Sequence, residues 1–378
     1  MKILFLILLF TATALPAQVA ELTLLDASTK QPIPNVEAYY ARSLNGTITN
    51  EEGKLRIAVE NDSLTLSHIG YATKKIFTDK TFAKATIYLN PQEIQLEEVV
   101  LYNFDLKKKV KYVLDNYFKL YDTKAKILEC TYREKTTKND KLIRLYQNQL
   151  NWWSKNYVYE PKEPLNKFTH IQLKSTDYSK IIGKEEDTSN ELSLEQRRLI
   201  MYLHLNPYLV FLYNAKTIDI KKVEKDNEYT IVTFDADFGK FDLNVFNSVI
   251  YFDNQTNAIK KIIFNQVPYT KERVSEKSKI PYKSTPEFAT WELTFTSYKD
   301  KLLFSSFAVK AKVRVEFEEK TYIYFSEENF LRTGIQNKHI KKEDRIDVEK
   351  PFFEYVTPHK QGEAKFLLTK EEQEFINQ

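Results

Sequence analysis

The sequence predicts a mainly β protein: a small N-terminal sandwich, an amphipathic helix, and a larger antiparallel β domain that carries one or two helices. Three observations predict this. The chain holds 24 Tyr and 25 Phe beside only 7 Gly, a balance that favours long twisted strands because aromatic rings suit half-buried sheet faces. From Val19 the chain runs as short alternating segments broken by turn residues at close intervals, the pattern of a small sandwich. From Phe104 the apolar period lengthens from two to about 3.6, then returns to two over longer stretches.

Residues 1–17 have the layout of a secretory signal peptide: Lys2, an apolar run from Ile3 to Phe10, then small residues and Pro16. The apolar core is about half the roughly 20 residues that span a bilayer. Cleavage fits after Ala14 or after Ala17, with Ala17 preferred. The only cysteine is Cys130, so lipoprotein processing at a new N-terminal cysteine is excluded, as is a disulfide within the chain. The expectation is export to the periplasm or outer envelope, with no transmembrane segment after cleavage.

Residues 18–100 form the first expected domain. Glu21 to Leu25 is a strand, Asp26 to Lys30 a turn, and Val36 to Tyr40 continues after Pro32 and Pro34. Asn45-Gly46 is a hairpin signal because both residues tolerate positive φ. Asn50 to Gly53 turns again before Lys54 to Val59, where Leu55, Ile57 and Val59 share a face. Leu64 to Ser67, Lys75 to Phe77 and Ala85 to Leu89 complete the set.

These residues carry a resemblance. GTITNEEGKLRI (Gly46 to Ile57), DSLTLSHIGYATKKI, TIYLNP and LEEVVLY, in that order, resemble the carboxypeptidase-regulatory-like domain of exported Bacteroidetes proteins. Gly46, Thr49, Gly53, Ser67, Gly70 and Tyr71 match its pattern, with Asn50 where Asp is usual. The resemblance implies a transthyretin-like β-sandwich and a non-catalytic module. A TonB-dependent receptor, another setting for such a module, needs a barrel with many more strands than this chain supplies.

Residues 101–122 read as a linker helix, Phe104 to about Leu120, with Leu106, Val110, Val113, Leu114, Tyr117 and Phe118 on one face and Lys107, Lys108, Lys111 and Asp115 on the other. Packing on the second domain is the expected role, and contact with a membrane surface the alternative. Residues 123–330 read as the antiparallel domain. Its expected strands are Leu128 to Lys135, Leu142 to Trp153, Tyr157 to Tyr159, Glu228 to Phe234, Asn247 to Phe252, Ala258 to Asn265, Phe288 to Tyr298, Leu302 to Phe317 and Thr321 to Phe325. A second helix, about Leu194 to His204, opens with the capping-box pair Ser193 and Gln196 and ends before Asn206-Pro207. Residues 331–378 read as a charged, irregular extension that ends in a short helix, Thr369 to Phe375.

VIYFDNQTNAIKKIIF (Val249 to Phe264) and WELTFTSYKDKLLFSSFAVKAKVRVEF (Trp291 to Phe317) resemble the long hairpins of Bacteroidetes proteins that carry a C-terminal β domain after the regulatory-like module. TYREK, Thr131 to Lys135, falls where those proteins often carry Tyr-Arg-Glu. Some such domains resemble the lipid-cradling half-barrels of lipoprotein carriers, so the resemblance implies a half-barrel and an apolar ligand.

Charge and motifs exclude more than they assign. Fifty-six basic against 52 acidic residues leave a net charge of +4, too small to imply a nucleic-acid partner. Lys107 to Lys109 and Lys221-Lys222 read as solvated faces. A metallocarboxypeptidase needs His-x-x-Glu, but three residues after His68, His170, His204, His339 and His359 stand Tyr71, Leu173, Pro207, Lys342 and Gly362. No Gly-x-Ser-x-Gly elbow, phosphate loop or dinucleotide fingerprint occurs. Asp253-x-Gln255-x-Asn257 reads as a polar hairpin turn rather than a calcium loop, because the bidentate Glu is missing. No catalytic residue, cofactor or metal is expected. The candidate ligand or partner contacts are Trp152, Trp153 and Tyr71. Adjacent strand residues face opposite sides, so one Trp of the pair should pack inward and the other has room to meet a sugar ring or another protein. The functional expectation is a non-enzymatic envelope protein that binds a protein partner, lipid or glycan. A hydrolase with a pair of carboxylates facing each other in a cleft is the alternative.

Overall fold

The computed structural model describes residues 18–40, 42–43, 45–68, 70–91, 104–182, 196–239, 244–275, 278–350, 352–357 and 367–378. Residues 1–17, which read as a signal peptide, and Ser193, which reads as a capping-box residue, lie outside the described residues. The chain forms two compact units, Met1–Gln92 with Lys365–Thr369, and Glu93–Ala364 with Lys370–Gln378.

In the first unit, β1 (Val19–Asp26) pairs antiparallel with β4 (Lys54–Ala58) and parallel with β7 (Lys84–Leu89). The second sheet runs β3 (Gly46–Ile48), β2 (Glu37–Tyr40), β5 (Asp62–Ser67), β6 (Lys74–Thr78). Alternation sets the burial: Ala20, Leu22 and Leu24 of β1 point inward against Leu55, Ala38, Tyr40, Leu64 and Leu66. Gly53 has φ +69°, and a Cβ there would lie 2.5 Å from Leu24 O. Gly46 differs from the expected turn glycine. It lies within β3, outside the positive-φ residues, and its small size matters because a Cβ would meet Ala38 O at 3.0 Å. Thr49 is buried between strands, where its hydroxyl donates to Ile33 O at 2.7 Å and accepts from Val36 N at 2.9 Å.

In the second unit the helix expected over 104–120 is two helices, α1 (Leu106–Asp115) and α2 (Tyr117–Leu120). Asp105 caps α1 by accepting from Lys108 N at 3.0 Å. Asn116 breaks the run: its side-chain amide donates to Tyr112 O at 3.0 Å, competing locally with the backbone ladder. Leu106, Val110 and Val113 are buried in this unit's core, so the expected linker is part of the second unit.

One antiparallel sheet of 11 strands follows. β8 (Lys126–Lys138), β9 (Lys141–Ser154) and β10 (Thr169–Ile181) form one end. β11 (Thr217–Lys225), β12 (Tyr229–Asp237), β13 (Asn244–Asp253), β14 (Ile259–Asn265), β16 (Pro281–Tyr298), β17 (Lys301–Phe317) and β18 (Lys320–Gln336) form a meander, and β15 (Lys271–Val274) pairs with β16. β18 returns to pair with β8, which joins the two series into the order β10-β9-β8-β18-β17-β16-β14-β13-β12-β11. β10 and β11 do not pair with each other, so the sheet is open rather than a closed barrel. A single core nonetheless contains Ile171 of β10 and Val223 of β11, with helices α3 (Leu165–Phe168), α4 (Gln196–Tyr202) and α5 (Leu205–Tyr213) packed into it.

Several expectations are corrected. Tyr157 to Tyr159 is not a strand, because Tyr157 has φ 49°. β10 occupies what reads as loop; register shifts at Leu173/Ser175 and Thr176/Tyr178 break its period of two. The second helix does end before Asn206-Pro207, at Tyr202, but these two residues sit in the first turn of a further helix, α5, where a missing N–H costs nothing. Residues 331–336 of the expected irregular extension are strand. β18 continues to Gln336, with the buried guanidinium of Arg332 donating to Phe304 O at 2.6 Å and Thr296 Oγ1 at 2.8 Å. The terminal helix is α6 (Lys370–Asn377).

Candidate functional site

The β8–β9 hairpin turns through Asn139 and Asp140, both at positive φ, as a two-residue turn requires. This register places Thr136 opposite Arg144 and Glu134 opposite Tyr146, while β18 sets Glu328 opposite Glu134. The result is a buried polar cluster on one sheet face. Arg144 Nη1 donates to Glu134 Oε1 at 2.7 Å, and the Tyr146 hydroxyl donates to the other oxygen of the same carboxylate. The Tyr132 hydroxyl donates to Glu328 Oε2 at 2.7 Å. Burial first, then the neighbouring carboxylates, push both tyrosine hydroxyls well above their ordinary range. Phe352 stacks at 4.7 Å from the Tyr132 ring and Phe353 at 4.5 Å from the Arg144 guanidinium. Glu134 and Glu328 are thus a facing carboxylate pair, but both are buried.

On the opposite face, Arg133 and Lys135 reach Glu372 of α6 at 2.6 and 3.1 Å. The Tyr132-Arg133-Glu134 run singled out in the sequence is therefore a set of anchors alternating between two buried networks.

Further along the face that carries Glu134, a cavity of about 20 Å³ is lined by Tyr117, Tyr121, Trp152, Tyr157, His204 and Phe304, with Asp122 and Thr123 at its partly exposed side. α2 supplies Tyr117, the end of β9 supplies Trp152, and the junction of α4 and α5 supplies His204 in an extended conformation (φ −106°, ψ 139°). The Tyr121 hydroxyl donates to Ile259 O at 3.0 Å and Tyr157 to Lys126 O at 2.8 Å. Asp122 forms an ion pair with Lys126. His204 Nδ1 lies 2.6 Å from Ile200 O, while Nε2 is buried without a hydrogen-bond partner. Burial pushes this histidine down to about 4, so the ring is neutral at ordinary pH. Among the described residues, no group of three or more His, Cys, Asp or Glu is placed to hold a metal ion. Asp253 spends its carboxylate on its own turn, accepting from Thr256 N at 2.8 Å and Thr256 Oγ1 at 2.9 Å.

The three residues expected to contact a ligand or partner are not brought together. Trp152 is fully buried, edge-on to Tyr157, His204, Phe304 and Phe330, with Nε1 donating to Thr169 Oγ1 at 2.9 Å. Trp153 lies on the other sheet face, 9% exposed, with His170 stacked on its ring at 4.7 Å and His339 tilted against it at 5.3 Å. Its face is occupied rather than free for a sugar. Tyr71 belongs to the first unit, where its half-buried hydroxyl donates to Asp26 Oδ2 at 2.8 Å. Of the three, only Trp152 lines the cavity. His204 is the residue that sequence reasoning missed, since its role depends on a helix junction that local pattern does not reveal.

A two-sheet β-sandwich is the class that the first unit's fold defines. Residues 23–101 match the CarboxypepD_reg-like domain, so the chain carries a carboxypeptidase-regulatory-like domain, as the order of Gly46, Thr49, Gly53, Ser67, Gly70 and Tyr71 implied. No curated protein matches the chain. Among solved structures, a LolA superfamily protein from Nitrosomonas europaea is 8% identical with a TM-score of 0.23, covering 67% of this chain and 100% of its own. A Bacteroides fragilis protein of unknown function is 8% identical with a TM-score of 0.15, covering 84% of this chain and 98% of its own. Neither score reaches the level of a shared fold. No helix among the described residues is long and apolar enough to cross a membrane.

Proposed function

We propose that this is a non-enzymatic exported envelope protein whose second unit binds an apolar, lipid-like ligand. The observation that carries the reading is the cavity walled by Tyr117, Tyr121, Trp152, Tyr157 and Phe304, in which the one acidic lining residue, Asp122, is neutralised by Lys126. Aromatic walls with few polar groups suit the end of an apolar guest, and at about 20 Å³ the cavity admits no more of it than that. Export rests on the N-terminal segment described above. A hydrolase is the second reading, and the facing Glu134 and Glu328 are the observation that favours it. Their burial weighs against it, because a glycan or peptide needs both carboxylates in an open cleft.

Native mass spectrometry of the protein purified from envelope extracts tests the reading. The expected result is an apolar adduct of defined mass that is lost in Leu303→Trp, a substitution that fills the cavity wall. Absence of any adduct, or one unchanged in the variant, counts against binding at this site.

A further inference from the structure

The polar atoms around the cavity differ in what they still have to offer, and the inference rests on the binding role proposed above. The ring donors are committed. Tyr117 donates to Tyr157 O at 3.4 Å, Tyr121 to Ile259 O at 3.0 Å, Tyr157 to Lys126 O at 2.8 Å, and Trp152 Nε1 to Thr169 Oγ1 at 2.9 Å. Asp122 is held by Lys126. His204 alone among these rings has an unused nitrogen. Its Nδ1 faces Ile200 O at 2.6 Å, and a carbonyl only accepts, so Nδ1 carries the ring proton. Nε2 is then a lone pair, buried and without a partner, in a residue that is 2% exposed and lines the cavity. A buried acceptor left without a donor costs stability until a guest supplies one.

We propose that the cavity takes the hydroxyl of an alcohol-headed apolar molecule, which donates its hydrogen bond to His204 Nε2. A carboxylate of the same chain length finds no free ring donor here and loses its hydration against aromatic walls. An ether sets acceptor against acceptor. A hydroxyl satisfies Nε2 at no such cost. The volume of about 20 Å³ is that of a single water, so only the head group enters. The apolar chain runs toward the partly exposed Thr123 side.

Calorimetric titration of the full chain with octanol, its isomer heptyl methyl ether, and octanoate tests this. Octanol is expected to bind about fivefold or more tightly than the ether, the worth of one buried hydrogen bond, with octanoate weakest. His204→Phe is expected to bind octanol and ether equally, while His204→Gln, which keeps an acceptor, retains part of the preference. Equal binding of octanol and ether by the wild type overturns the inference but leaves the binding role standing. A preference that survives in His204→Phe also overturns it. Binding of none of the three probes overturns the proposed function and this inference together. Should His204→Phe not fold, Leu303→Trp decides: octanol binding is lost if the hydroxyl sits here, and unchanged affinity overturns the assignment.

Discussion

Acidification should destabilise the second unit through His204. The ring is 2% exposed and edge-on to Trp152, and burial lowers its proton affinity to about 4 from the ordinary 6.5. Between those limits the folded chain binds fewer protons at this site than the unfolded chain. Stability is therefore complete above 6.5, falls as pH drops through the window, and loses nothing further from this group below about 4. At about 1.4 kcal/mol per pH unit, the loss is roughly 2 kcal/mol by pH 5 and roughly 3 kcal/mol at the lower edge. Urea denaturation at pH 7 and pH 5 measures it, on the wild type and on His204→Gln. Other groups titrate over the same range, including His170, whose proton affinity is also lowered by burial. The subtraction between the two proteins removes them. The wild type should lose roughly 2 kcal/mol more than the variant. An identical pH dependence in both would refute a neutral, buried His204.

Three further outcomes follow from the packing. Arg144→Met strands the Glu134 carboxylate in the core and should cost about 3 to 5 kcal/mol in denaturant unfolding, with part regained when Glu134→Gln is added. Gly53→Ala forces a side chain into φ +69° and toward Leu24 O at 2.5 Å, and should lower stability by about 2 kcal/mol or more. Glu372→Gln removes the charge that meets Arg133 and Lys135, so hydrogen exchange should quicken across Lys370–Asn377 before the sheet strands change.

The first unit was legible because its strands are short and separated by turn residues, so local chemistry and the final fold agree. The observed β1, β2 and β4 to β7 fall where the alternation places them, whereas β3 begins at the Gly46 that reads as a turn. The second unit was legible only where strands pair without interruption. β17 was read to its last residue, Phe317, whereas β10 hid behind two bulges and β11 behind its charged, solvent-facing side chains, as edge strands often do. α5 was missed for a different reason. LNPYLVFLY is buried on several sides, with Leu205, Tyr208, Leu209 and Leu212 inaccessible, so it lacks the one-sided period that marks a surface helix. Tyr132, Glu134 and Thr136 did leave a trace, a polar period of two in a strand that should have been apolar inside. Their partners Arg144, Tyr146 and Glu328 come from β9 and β18, and only the register brings them in.

The carboxylate cluster and the cavity make opposite use of burial. In the cluster each charge is met by its own partners: Arg144 and Tyr146 on Glu134, Tyr132 on Glu328. The donors there are spent on the two carboxylates, and breaking these bonds costs more than keeping them. Around the cavity the tyrosine and tryptophan donors are likewise satisfied, yet Nε2 of His204 is buried with no donor supplied by the chain. Phe at 204 would pack against Trp152 with no acceptor left bare, at the loss of the bond to Ile200 O. On the binding role proposed above, the contact to test first therefore lies at the α4–α5 junction rather than at the acidic pair, although the acidic pair bears the closer likeness to an active site.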